Sequence, residues 1–150
     1  MPALSEKLRS HLASTNLVVL PEDYFIIILP PDAKLLPGEW YRPATTRFAV
    51  FMREPKQITL VVARRKWIRM QSLFKSYEVT GPVKVVTFDK KISMRVRGYM
   101  SAIGQVLVEA KLQVIPLSSL TRDHILVNKS DLPRTVKVLR QFIQKCKKRS

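Results

Sequence analysis

Between Gly81 and Asp131 the hydrophobic period of this sequence changes from two, to about 3.6, and back to two, with short connections at each change. That order predicts strand, helix, strand, strand. Val83, Val85, Val86 and Phe88 end the first strand, with β-branched and aromatic side chains that suit a half-buried pleated surface. Beyond the charged Asp89, Lys90 and Lys91, a helix carries Tyr99, Ile103, Val106, Leu107 and Ala110 on one apolar stripe facing a sheet. Leu112, Val114, Ile115 and Leu117 resume extended character, Ser118 and Ser119 begin a turn, and His124, Ile125, Leu126 and Val127 return as a strand. Asp131 or Ser130 caps a last helix with Pro133 in its first turn. Leu132, Val136, Leu139, Ile143 and Cys146 mark its expected buried face. The unit reads β-α-β-β-α, a split β-α-β with both helices on one side of an antiparallel sheet.

The preceding half reads as a reduced version of the same module. A short N-terminal helix, in an end expected to be mobile, and Leu17 to Leu20 lead through the Pro21-Glu22-Asp23 turn into Tyr24 to Leu29. That continuous apolar run reads as a strand buried on both faces. Pro30, Pro31, Asp32, Pro37 and Gly38 predict a loop. Thr45 to Met52 and Gln57 to Ala63 follow as a hairpin around Arg53-Glu54-Pro55-Lys56, and Arg64 to Phe74 as one short helix. Pro82 cannot donate to a ladder and marks an edge, a bulge or a kink.

The 150 residues suffice for one ordinary domain or two small ones with a real core. No apolar run approaches the roughly 18 to 20 residues that span a bilayer. The N-terminal MPALSEKLRSHLAS lacks the apolar core and cleavage site of a secretory signal; its amphipathic character and single acid leave a transit peptide as the alternative. One cysteine, Cys146, excludes an internal disulfide and favours a reducing compartment, with the thiol as a small buried hydrophobe. Cytoplasmic localisation is expected.

Catalytic chemistry is poorly represented. His11 and His124 have no metal-site spacing, the four glycines match no phosphate-cradling loop, and the carboxylates are scattered. The expectation is a non-enzyme with no cofactor and no metal. His124, beside Asp123 and three apolar residues, reads as a partly buried strand histidine.

The run GYMSAIGQVLVEAKLQVIPLSSLTRDHILV resembles the second half of small tandem ACT-domain proteins, a group related to aspartate-kinase-type ACT domains and to the cytosolic arginine sensors of animals. The likeness sits at Gly98 to Ser101, Leu107 to Ala110 and Leu117 to Val127, and extends loosely over residues 20 to 145. It implies an α+β fold of two fused ACT-like (ferredoxin-like, βαββαβ) units, antiparallel sheets with helices packed on one face, the first unit degenerate, and a fourth strand closing the second unit that is expected to come from Tyr24 to Leu29. The corresponding boundaries are an N-terminal helical extension at 1–16, units at 17–76 and 77–146, and a basic tail at 147–150. The resemblance also implies a small-molecule-responsive regulator whose units pair, here expected as a homodimer, without naming the ligand.

A binding site follows on both counts. Gly98, Tyr99, Met100 and Ser101 open a helix whose free N–H groups and positive dipole end favour an anion such as an amino-acid carboxylate. By resemblance, Leu117, Ser118 and Ser119 supply a facing wall, and Asp123 meets a ligand ammonium or guanidinium. The alternatives are structural: a helix-opening glycine, core Tyr99 and Met100, a turn at Ser118 and Ser119, and an Asp123 paired with Arg122 or another surface base.

The formal charge of +16 raises a second reading. Arg64, Arg65, Lys66 and Arg69 accompany Trp67, and Lys90, Lys91, Arg95 and Arg97 flank the proposed ligand loop. Arg134, Lys137, Arg140, Lys145, Lys147, Lys148 and Arg149 line the last helix and tail with no acid among them. Arg134, Lys137, Arg140, Lys145 and Lys148 form a stripe suited to an RNA or DNA backbone, against the alternative of a merely solvated face. No membrane partner is expected.

Overall fold

The computed structural model describes residues 4–35, 42–93 and 95–148; Pro37, Gly38 and Arg149 lie outside the described residues. Its elements are α1 (Glu6–Ala13), β1 (Asn16–Val19), β2 (Tyr24–Leu29), β3 (Val50–Arg53), β4 (Ile58–Ala63), α2 (Arg64–Met70), β5 (Glu78–Asp89), α3 (Tyr99–Glu109), β6 (Val114–Ser118), β7 (Asp123–Asn128) and α4 (Leu132–Lys148). The chain forms two compact units. Pro21–Lys84 is inserted between the two segments of a split unit, Met1–Leu20 and Val85–Ser150. The halves expected at 17–76 and 77–146 are contiguous, whereas this grouping is interleaved.

In the split unit the strands lie in the order β1-β5-β7-β6. β1 pairs antiparallel with the end of β5, from Asn16↔Asp89 to Val19↔Val86, and β6 pairs with β7 from Val114↔Val127 to Ser118↔Asp123. The closing strand is therefore Asn16–Val19 and not Tyr24–Leu29. Its alternation places Leu17 and Val19 against the core while Asn16 and Val18 stay exposed, so a four-residue segment with one apolar face suffices for an edge. α1 precedes it, with Ser5 Oγ accepting from Leu8 N at 3.2 Å. Leu8 and Leu12 are buried in the same core as α3 and α4, so the expectation of a mobile N-terminus is corrected for these residues. The apolar stripe of α1 had to be covered.

α3 ends as a Schellman turn. Leu112 N bonds Leu107 O at 3.0 Å and Lys111 N bonds Val108 O at 2.9 Å, with Lys111 left-handed (φ 58°) where glycine is usual. α4 buries Thr135, Leu139, Phe142, Ile143 and Cys146, while Leu132 and Val136 are only half-buried, which rotates the expected face. Phe142 brings the largest apolar area to the stripe, and Thr135 is tolerated in it because its hydroxyl donates to Asp131 O at 2.8 Å.

The inserted unit has the order β3-β4-β2-β5. β2 pairs with β4 along its whole length, from Tyr24↔Ala63 to Leu29↔Ile58. The pairing of β2 with β5 slips between Tyr24↔Val83 and Ile26↔Thr80, so Phe25 faces both Gly81 and Pro82. Of the edge, bulge or kink expected at Pro82, the structure has the bulge. Gly81 has φ 139°, and a Cβ there would lie 2.7 Å from Phe25 Cδ1 and 2.9 Å from Tyr24 O, so only glycine fits. Trp67 of α2 is buried on Ile27, Leu29, Ile58, Leu60 and Val62 and stacks on Phe74. The indole is therefore unavailable to a nucleic-acid base. β3 is shorter than the expected strand from Thr45, because Thr45 N turns back to Arg42 O and the hydroxyls of Thr45 and Thr46 receive the amine of the buried Lys66.

Numbered within a βαββαβ module, the split unit runs β5, β6, β7, β1 and the inserted unit β2, β3, β4, β5. Both then have the spatial order fourth-first-third-second. The units are repeats of one topology. The inserted one carries no helix among the described residues between its first two strands.

Candidate functional site

The chain between β5 and α3 is held at both ends. Ile92 is buried in the core of the split unit, and its N–H donates to Thr121 O at 2.8 Å, tying this loop to the β6–β7 turn. Val96 N bonds Ser93 O at 3.0 Å, and Arg95 N bonds Ser93 Oγ at 3.1 Å. Gly98 then takes the left-handed conformation (φ 81°) that starts α3. A Cβ there would meet only Leu8 Cδ2, at 3.5 Å, so the backbone angle and not space selects glycine.

Gly98, the N-cap of α3, has no side chain to cap it, and the first turn contains no acid. The N–H groups of Tyr99, Met100 and Ser101 have no acceptor four residues earlier, which leaves a positive terminus. Tyr99 itself turns inward and is 3% exposed. Its phenol shares a 2.5 Å hydrogen bond with the buried Thr15 hydroxyl and its ring meets Phe88 edge-on. Burial pushes the phenol up to about 12, with the charge of Asp123 adding and the Thr15 bond opposing. Met100 packs partly against the core, while Ser101 is exposed. Tyr99 and Met100 thus offer backbone, whereas Ser101 also offers a hydroxyl.

On β6 and β7, Ser118 and Asp123 are directly paired, and the Ser118 hydroxyl donates to the Asp123 carboxylate. Leu117 is half-buried opposite His124. Ser119 closes the hairpin with Arg122, N–H to carbonyl at 2.9 Å, and Arg122 Nε reaches Asp89 at 3.0 Å. Asp123 and Tyr99 are near enough to interact electrostatically. Beside this array lies a cleft of about 350 Å³ lined by His11, Lys91, Ile92, Ser93, Leu120 and Thr121. Of these only Lys91 belongs to a cluster evident in the sequence. The cleft arises from the Ile92 to Thr121 tie, which no local pattern encodes.

His124 is half-buried, with Nδ1 2.9 Å from Thr87 Oγ1. Burial lowers its pKa below 6.5, Asp123 opposing and Arg122 assisting. The unfolded chain then binds the proton more readily, so the neutral imidazole stabilises the fold above pH 6.5 and that stability is lost as pH falls through this value. Urea unfolding at pH 7.5, 6.5 and 5.5 is expected to show declining stability, with a smaller decline in His124→Gln; an equal decline in the variant refutes the assignment. Among the described residues no group of three or more His, Cys, Asp or Glu is placed to hold a metal ion, and no helix is long and apolar enough to cross a membrane.

The arrangement has counterparts among solved structures. A protein from Agrobacterium tumefaciens superposes with a TM-score of 0.67 at 19% identity, covering 85% of this chain and 87% of its own. The regulatory subunit of aspartate kinase from Thermus thermophilus, in its ligand-free form, superposes with a TM-score of 0.62 at 11% identity over 86% of this chain and 97% of its own. The chain has the ACT-type fold. A protein from Porphyromonas gingivalis described as a C-terminal regulatory domain of aspartate kinase gives a TM-score of 0.56 at 12% identity, with 85% and 95% covered. No protein-family model matches the sequence, and no curated protein matches it significantly. In ACT terms, the loop from Lys90 to Gly98 joins the first strand and first helix of the split unit.

Proposed function

We propose that this protein is a non-enzymatic regulator that binds an amino acid or related small molecule beside the Lys90 to Gly98 loop of its split ACT-type unit and signals through pairing with a second copy. The likeness to aspartate kinase regulatory domains over nearly the whole of those chains carries the reading. The uncapped start of α3 suits a ligand carboxylate, received by the N–H groups of Tyr99, Met100 and Ser101. Asp123, oriented by Ser118, suits the ligand ammonium or guanidinium, and Leu117 its apolar part. Lys91, Arg95 and Arg97 raise the local concentration of anions. A ligand seated between two copies changes their pairing only through its different affinity for the two arrangements.

The test is a thermal-shift screen against the twenty amino acids and common anionic metabolites, with association state followed in parallel. A ligand at 100 times its Kd contributes about 2.7 kcal/mol to the folded state. For a chain of this size that is a rise of roughly 5 to 10 °C. One amino acid, or a chemically related few, is expected to give such a rise, lost in Asp123→Asn. No shift with any of the twenty amino acids or with common anionic metabolites sinks the reading.

A further inference from the structure

The outward face of α4 carries charge that amino-acid binding does not use. Arg134, Lys137, Arg140, Lys145 and Lys148 are exposed, Gln141 and Gln144 lie among them, and no acid occurs from Leu132 to Lys148. With 100° and 1.5 Å per residue, positions 134, 137, 141, 144, 145 and 148 fall within an arc of about 100° along about 21 Å, and Arg140, about 40° beyond its edge, widens the arc to about 140°. Among the described residues, Lys137, Arg140, Lys145 and Lys148 enter no ion pair. Arg134 donates to Ala110 O, which fixes one end of the strip.

The helix dipole accounts for only part of this charge. Lys145 and Lys148 sit in or near the last turn, where a cation is favourable, but Arg134 stands in the first turn, where it is not, and Lys137 and Arg140 lie in between. Like charges three or four residues apart repel by about 0.2 to 0.5 kcal/mol per pair. The strip therefore costs the helix stability that an alternation of signs would have avoided.

The chemistry of the face selects its partner. The large apolar side chains exposed among the described residues, including Phe51, Ile68, Leu73 and Val108, all lie on other elements, so α4 has nothing to insert into a bilayer. Phe142, its one aromatic residue, is buried and cannot stack on a base. What remains is a row of cations with two amide side chains, the groups that contact phosphate and sugar. We propose that the outward face of α4 binds the phosphodiester backbone of nucleic acid without reading base sequence.

Fluorescence anisotropy of the full chain with a labelled 20-nucleotide single-stranded RNA and a 20-base-pair DNA duplex tests this across 50 to 200 mM salt. Five neutralised phosphates give log–log salt slopes of about −3.5 for the single strand and −4.5 for the duplex. The matching loss of affinity over that range is roughly 100- to 500-fold. Binding to either polymer with such a slope supports the proposal, and the stronger of the two identifies the source of the backbone. The R140Q/K145Q/K148Q variant keeps good helix formers at exposed positions, so its melting temperature should hold while the single-strand slope falls to about −1.4. Charge reversal, R140E/K145E/K148E, should abolish binding. The proposal is overturned by no binding at 50 mM salt, by an unchanged slope in the glutamine variant, or by equally tight binding to polyglutamate or to vesicles containing phosphatidylserine.

Discussion

Leu139→Ala is expected to lower the unfolding free energy by about 3 to 4 kcal/mol, read as a reduced urea midpoint at unchanged slope. Leu139 is completely buried, and with Leu12, Phe88, Tyr99, Ile103 and Phe142 it surrounds a void too small for water. Truncation enlarges that void among side chains from α1, β5, α3 and α4, which are anchored separately and cannot collapse together. Alanine is the better helix former, so propensity works against the expected loss and the whole deficit belongs to packing. A change below about 1 kcal/mol would show that α4 is not docked as described.

Lys84→Met is expected to cost about 3 kcal/mol. Lys84 is 7% exposed, yet its amine is fully employed: it donates to Pro21 O and Glu22 O at 2.9 Å each and lies 3.4 Å from the Asp23 carboxylate. Methionine matches the length of the stem but leaves both carbonyls without that donor and removes the partner charge from Asp23. Burial of a polar group without its partner is the expensive part, so a larger apolar side chain does not compensate. Lys84→Arg, which keeps the charge and donors, should recover part of the loss. Stability equal to the parent in Lys84→Met would mean that the amine contributes nothing net.

These two sites differ in how far they can be read from residues alone. Leu139 falls on the apolar stripe of a helix and is named by its spacing. Lys84 sits in a strand between Val83 and Val85, where alternation predicts an outward side chain; its burial follows from the Pro21-Glu22-Asp23 turn, which presents two carbonyls and a carboxylate to it. The candidate site divides in the same way. The glycine opening α3 and the inward Tyr99 are legible because a positive φ and a helical stripe are local properties. The hydrogen bond between Tyr99 and Thr15, and the cleft joining His11 and Lys91 to Thr121, depend on residues that only folding brings together.

The sequence by itself determined most of the elements and their type: the changes of period place α3, β6, β7 and α4, Pro82 marks an irregularity in β5, and the basic row on α4 stands outside its apolar stripe. The tertiary structure alone decided which strand closes the split unit. Tyr24–Leu29 has the stronger strand character, but it is taken along its whole length by β4. Asn16–Val19, short and exposed on one side, pairs with β5 across some seventy positions. Loop-closure entropy grows only logarithmically with the intervening length, so distance in sequence hardly opposes that choice. Pairing is settled by complementary faces and hydrogen-bond partners, which a chain read in order does not display.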